Sequence, residues 1–312
     1  TGHLKQVDAL LMQIQKEARF SLSAIDCDKK KQVTNVLQSV LEKDNDENFP
    51  IVLIGAGHTV YPKILSSQKF IKKTLGLNSI SIAVMRPSRN MSAFDLICAP
   101  EHDFVKQKAQ NNVITYQGAL ASTSFTASDE KKAIIAIGGE SKHYKFDEKV
   151  VLMQLKYILN IHPNHEFNIF NSRRTPQSLN IQIEDELKNF KNARFINIDY
   201  PNDGSFYTSL SESSLKFVTP DSANLVFESL STHGKTYLIQ IESPNYRRWF
   251  GSKKIRSTMN NLVMSKQVGA VSLLAKNNKL KISKIENPYP AFEPLAEVEK
   301  VSFAIQKYFR DQ

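Results

Sequence analysis

Apolar positions along the chain recur with two different periods, and the switches between them mark the elements. Val7, Leu10, Leu11 and Ile14 fall at i, i+3, i+4 and i+7, one face of a helix. Val33, Val36, Leu37, Val40 and Leu41 repeat that spacing, and the polar run 42–48 ends it. Residues 51–54 are then wholly apolar, as a strand buried on both faces requires, and Gly55-Ala56-Gly57-His58-Thr59 closes them with a flexible turn. Residues 80–85, 94–98 and 113–115 read as further strands. Such strands alternating with helical patterns predict a parallel α/β sheet.

Residues 121–132, rich in Ser, Thr and charge, read as a linker, after which the pattern restarts. An apolar strand at 133–137 is closed by Gly138-Gly139, and a helix is expected over 147–160. Residues 167–170, 195–198, 215–219 and 237–241 read as strands; Leu179, Ile183, Leu187 and Phe190 mark a helix face. Leu295, Val298, Ser302, Ile305 and Phe309 form one face of a closing helix. The expectation is an α/β protein of two units, 1–125 and 126–312.

Length agrees with that division, since 312 residues suit two domains. Hydrophobic residues at 41% supply enough apolar surface for buried cores and exclude wholesale disorder. The formal charge of +10 is spread along the chain, which argues against a nucleic-acid partner and for anionic ones such as phosphorylated substrates or a membrane surface. Cys27 and Cys98 cannot build a disulfide framework, so a reducing compartment is expected. No apolar run approaches the roughly 18 residues that span a bilayer. The sequence opens on Thr1-Gly2-His3 without Met, and a preceding first strand is expected.

Several motifs sit just beyond predicted strands, where α/β sheets place ligands. Gly138-Gly139-Glu140-Ser141-Lys142 precedes a helix; glycines there let backbone N–H groups approach a phosphate, and an ordinary strand-to-helix turn is the plain alternative. Neither a P-loop ending nor the dinucleotide fingerprint is present. Ser172-Arg173-Arg174-Thr175-Pro176 carries paired arginines suited to bidentate phosphate binding, or a solvated charged turn. In Thr219-Pro220-Asp221-Ser222, Asp221 or Ser222 suits an N-cap, and Glu228 on the following helix could bind both hydroxyls of a ribose or be a surface carboxylate.

Pro100-Glu101-His102-Asp103 offers a histidine flanked by carboxylates, a candidate acid or base. His3 and His58 each adjoin glycine near presumed strand ends. Asp44-Asn45-Asp46 reads as a solvated turn, and His162 and His165 lack the further ligands a zinc site needs, so no metal is expected. Arg247, Arg248, Trp249 and Phe250, followed by Lys253, Lys254 and Arg256, form the densest basic-aromatic stretch. They suit an anionic membrane or acceptor, or a mobile surface loop.

In this order the motifs resemble the family named after a plant mitochondrial-fission factor, the ELM-one family. Its Gly-His-x-x-Gln tail is matched by Gly2-His3 and Gln6, and its Ala-Pro-x-His-Asp turn by residues 99–103. The Gly-Gly loop, the complete Ser-Arg-Arg-Thr-Pro and the Val-Thr-x-Asp-Ser…Glu block follow, and Pro294-Leu295-Ala296-Glu297 matches a late Pro-Leu-x-Glu. Where the family often has Ser-Glu-Ala, this chain has Phe227-Glu228-Ser229. The resemblance implies a GT-B-like fold of two Rossmann-like domains facing across a cleft, with the last helix returning to the first domain. It further implies a metal-independent glycosyltransferase needing no cofactor. The nucleotide-sugar would be bound by Gly138, Gly139, Ser141, Ser172, Arg173, Arg174, Asp221, Ser222 and Glu228. His3, or else His102 with Asp103, would be the catalytic base. The acceptor would be an envelope polysaccharide or lipid-linked sugar, met by a cytoplasmic protein at the inner face of the membrane through Arg247, Arg248, Trp249, Lys253 and Lys254. A non-catalytic membrane scaffold and a nucleotide-sugar epimerase or hydrolase are the competing readings.

Overall fold

A computed structural model describes residues 2–25, 51–104, 108–199, 205–242, 253–276, 279–289 and 293–311. The chain forms two compact units, Thr1–Ser122 with Ala296–Gln312, and Thr123–Leu295. The division falls three residues before the expected 125/126 boundary, and the closing segment, counted within 126–312 in the sequence, groups with the first unit, to which its helix was expected to return.

In the first unit, β1 (Ile51–Ala56), β2 (Ser79–Val84), β3 (Leu96–Pro100) and β4 (Val113–Tyr116) pair in parallel in that order. Helices α1 (Gly2–Glu17) and α2 (Tyr61–Phe70) accompany them, with α8 (Glu297–Arg310) from the end of the chain. The period of two explains why β3 is apolar throughout. Leu96 and Cys98 join a core with Val7 and Leu10 of α1 and Val298, Val301 and Ile305 of α8. Ile97 and Ala99 join Tyr61 and Ile64 of α2 on the other side. Burial pushes the Cys98 thiol up to about 12, which leaves it an inert packing group. Gln6 is buried and structural: its side-chain Oε1 accepts from the Tyr116 hydroxyl at 2.9 Å and the Leu120 amide at 3.1 Å.

In the second unit, seven strands run in the order β11-β10-β9-β8-β5-β6-β7. Their ranges are β5 Asp129–Ala136, β6 Glu166–Phe170, β7 Ala193–Ile196, β8 Ser213–Val218, β9 Lys235–Leu238, β10 Gly269–Lys276 and β11 Lys279–Glu286. All neighbours are parallel except the β10–β11 hairpin. The helices are α3 (Glu148–Ile161), α4 (Gln177–Leu187), α5 (Phe206–Glu212), α6 (Ala223–Leu230) and α7 (Lys253–Met264). β5 starts inside the stretch read as a linker. The hairpin and α7 were not expected from the sequence. α7 corrects the reading of its residues as part of a basic surface stretch, because Ile255, Met259 and Leu262 give it a helical apolar stripe.

From β5 the chain runs outward to β6 and β7, then returns to the other side of β5 for β8, β9 and β10. The strand order therefore reverses between β5 and β8. The loops leaving that pair lead to helices on opposite sides, and a crevice beside the strands' C-terminal ends is the place where such sheets hold ligands.

Candidate functional site

That crevice gathers the glycine, arginine and Asp-Ser motifs. The loop after β5 is locked to the turn after β8: the Gly138 amide donates to Thr219 Oγ1 at 2.7 Å, and the Gly139 amide to Asp221 Oδ2 at 3.2 Å. A Cβ at Gly138 would stand 2.2 Å from Asp221 Oδ1, and one at Gly139 1.8 Å from the Arg174 carbonyl oxygen. The two glycines are needed for this close approach of loops. Both amides are spent inside the protein, which differs from the expectation that they face a phosphate.

Thr175 ties in the third loop. Its hydroxyl donates to the Ile137 and Gly138 carbonyls at 3.1 and 2.5 Å and accepts from the Ser172 amide at 2.8 Å. Ser172 braces the same turn, its hydroxyl accepting from the Arg174 amide at 3.3 Å. Arg174 alone of the pair lines the crevice; Arg173 is exposed and outside its lining. The Arg174 guanidinium donates to the Glu140 carbonyl at 2.9 Å and to Asp221 Oδ2 at 2.7 Å. The Asp221 side chain is fully buried and that of Arg174 is 44% exposed, so the cation meets solvent while its counter-ion does not. Ser222, not Asp221, caps α6, accepting from the Leu225 amide at 3.4 Å.

The resulting cleft has a volume of about 430 Å³. Ser141, Lys142, His143, Ser222 and Asn224 line it beside Arg174. Burial first, then the Arg256 and Lys142 charges, lower the pKa of His143 from the ordinary histidine value. Glu228, also on α6, is buried. It stands six residues beyond Ser222, about 9 Å along the helix axis.

The acid–base candidates lie in the first unit. His3 is in the first turn of α1 and exposed, with its Nδ1 3.4 Å from where a Gly57 Cβ would be. His58, after β1, meets the Tyr61 ring edge-on at 6.1 Å. His102 Nε2 is 3.9 Å from Asp103 Oδ1 in the turn after β3, and Arg86 Nη1 donates to the Asp103 carbonyl at 2.5 Å. Glu101 is directed instead towards Lys300, at 3.9 Å.

Residues 44–46 and Arg247, Arg248 and Trp249 lie outside the described residues. Lys253 opens α7, and Lys254 is exposed on it. Arg256 is a correction: it is buried in a bidentate pair with Glu242, and its guanidinium carbon stands 4.2 Å above the Tyr144 ring centroid. His162 and His165 pack edge to face at 5.3 Å before β6, at the opposite end of the strands from the cleft. Among the described residues no group of three His, Cys, Asp or Glu is placed to hold a metal ion. No described helix is long and apolar enough to cross a membrane.

Sequence reasoning missed Thr175, Thr219, His143 and Asn224 as parts of this site. Thr175 and Thr219 stood within quoted motifs. His143 and Asn224 carried no signal beyond lying one and two residues past one.

The family described as mitochondrial fission ELM1 matches residues 1–308. Among solved structures, a putative UDP-N-acetylglucosamine 2-epimerase from Listeria monocytogenes is similar at 12% identity and a TM-score of 0.53, over 98% of this chain and 94% of that one. The UDP-GlcNAc 2-epimerase of Methanocaldococcus jannaschii is similar at 12% identity and a TM-score of 0.50, over 99% and 97%. These likenesses establish the fold, two Rossmann-like domains of the GT-B type. No curated protein matches.

Proposed function

The chain belongs to the mitochondrial fission ELM1 family, and from that premise we propose that its second unit binds a nucleoside-diphosphate sugar and that the protein transfers the sugar to an acceptor. The observation that carries the reading is the convergence of three loops at the strand-order reversal, with Glu228 about 9 Å along the helix that starts there. Lys142, Arg174 and the first turn of α6 supply positive charge and donors for a diphosphate. The Ser222 hydroxyl adds a further contact. Glu228 is spaced to accept from the two ribose hydroxyls. The same groups stabilise the diphosphate as it leaves, so the leaving group needs no metal.

In the transfer step the acceptor oxygen bonds to the anomeric carbon, the bond from that carbon to the phosphate oxygen breaks, and the acceptor proton passes to a base. His3 is our first candidate for that base and His102, beside Asp103, the second. A positioned base contributes about 10²–10⁴-fold.

The test incubates the full chain with UDP-, GDP- and TDP-linked sugars, with and without polysaccharide or lipid-linked acceptors. Acceptor-dependent release of nucleoside diphosphate is expected. His3→Ala, or else His102→Ala, should lower turnover by about 10²–10⁴-fold with nucleotide binding kept. Release without acceptor would favour a hydrolase or an epimerase, the latter being the activity in the names of the two similar structures. Binding without turnover would favour a scaffold.

A further inference from the structure

Lys216 is the one charged residue of β8 and is fully buried. A lysine out of water is costly unless every donor finds a partner. Its Nζ lies 2.7 Å from the Ser229 carbonyl, 2.9 Å from the Thr232 carbonyl and 2.5 Å from Thr232 Oγ1. An ammonium donates to all three. The neutral amine donates to the two carbonyls and accepts from the Thr232 hydroxyl, so the attachment survives loss of the proton. Burial brings its pKa down to about 7.

The carbonyls it holds belong to the C-terminal end of α6, where a helix leaves its last carbonyls without intrahelical donors. The two carbonyls between them are bonded from elsewhere. The Leu230 carbonyl accepts from the Leu295 amide at 2.8 Å, and the Ser231 carbonyl from the Ser124 amide at 2.9 Å. Ser124 and Leu295 border the points where the chain enters and leaves the second unit, between Ser122 and Thr123 and between Leu295 and Ala296. One short stretch, 229–232, therefore anchors the ligand helix and both chain crossings, and Lys216 fastens it from within the sheet.

We propose that Lys216 is a positioning residue. By fixing the C-terminal end of α6, it sets the position of the helix that carries Ser222 at the cleft and Glu228 near its other end, with the two chain crossings tied to the same stretch. This rests on the nucleotide reading above for its functional consequence, though not for its structural one.

The test uses the full chain, Lys216→Met and the milder Thr232→Val. Hydrogen exchange is followed peptide by peptide, and UDP and GDP are titrated. In Lys216→Met, peptides spanning 223–232 should exchange about tenfold faster, as expected for losing hydrogen bonds worth about 1.4 kcal/mol, while β5 and β6 peptides keep their protection. The dissociation constant should rise about tenfold. Thr232→Val should change both in the same direction by a smaller factor, and it decides the matter if Lys216→Met does not fold. Unchanged exchange at 223–232, or equal acceleration throughout the second unit, would overturn the proposal. If the parent protein binds no nucleoside diphosphate, the nucleotide reading falls and the exchange pattern alone decides the role of Lys216.

Discussion

Replacing Arg256 by alanine should destabilise the second unit far more than a surface arginine could. Its Nη1 and Nη2 donate to the Glu242 carboxylate at 2.7 and 2.6 Å. The two side chains keep only 10% and 7% of their exposure. Truncation would strand the carboxylate where water cannot solvate it, a loss of about 3–5 kcal/mol. Glu242 Oε1 also accepts from the Lys145 amide at 2.8 Å, so the damage extends into the loop that carries Ser141 and His143. In a domain of this size each kcal/mol moves the melting temperature by about 2–4 °C, which predicts a fall of roughly 6–20 °C by calorimetry. Lys254→Ala, two residues earlier on α7 and exposed, should stay within about 0.5 kcal/mol of the parent. Exchanging both partners, as in Arg256→Met with Glu242→Gln, should recover most of the loss, because no unpaired charge remains. An Arg256→Ala protein that melts with the parent would refute the reasoning and return Arg256 to the solvated surface.

Gly139→Ala drives a methyl group against the Arg174 backbone, which cannot swing aside, so an unfolding free energy lower by about 1–3 kcal/mol and weaker nucleotide binding are expected. Denaturant unfolding at the parent midpoint would show that the two loops are not so close. Lys216 gives a pH signature. Its folded pKa of about 7 lies below the ordinary 10.5, so between those values the unfolded chain binds a proton that the native one does not. Stability should therefore rise across that window, by up to about 1.4 kcal/mol per pH unit, and show no pH dependence from this group below it, where both states bind the proton. Urea unfolding of Lys216→Met should lack that rise; equal slopes in the two proteins would contradict it.

Much of this was legible in the residues because the relevant signals are local. The unbroken apolar run 133–137 followed by two glycines marks a buried strand and a tight loop whatever lies elsewhere. Ser-Arg-Arg-Thr-Pro and Asp-Ser stand at strand ends for the same reason. What escaped depends on partners distant in sequence. Arg256 reads as surface charge until Glu242 is brought to it, although Ile255, Met259 and Leu262 already carried the spacing of a packed helix. Lys216 interrupts an apolar strand, but its acceptors lie 13 and 16 residues on, beyond a helix and a turn. The β10–β11 hairpin was hidden by a register shift after Ser272 that breaks the alternation and by the lysines on β11. The glycine amides, expected to face a phosphate, proved to be spent on Thr219 and Asp221, which no local pattern reveals.

The central claim, that α6 and the loops beside it hold a nucleoside-diphosphate sugar, is tested most directly by calorimetric titration of UDP and UDP-sugars into the full chain and into Glu228→Ala. A saturable site is predicted in the parent. Loss of hydrogen bonds to a charged group, worth roughly 1.5–3 kcal/mol, should weaken it by one to two orders of magnitude in a variant that melts normally. Equal affinity in the two proteins would remove Glu228 from the site, and the absence of binding to UDP, GDP, TDP and their sugars alike would contradict the account as a whole.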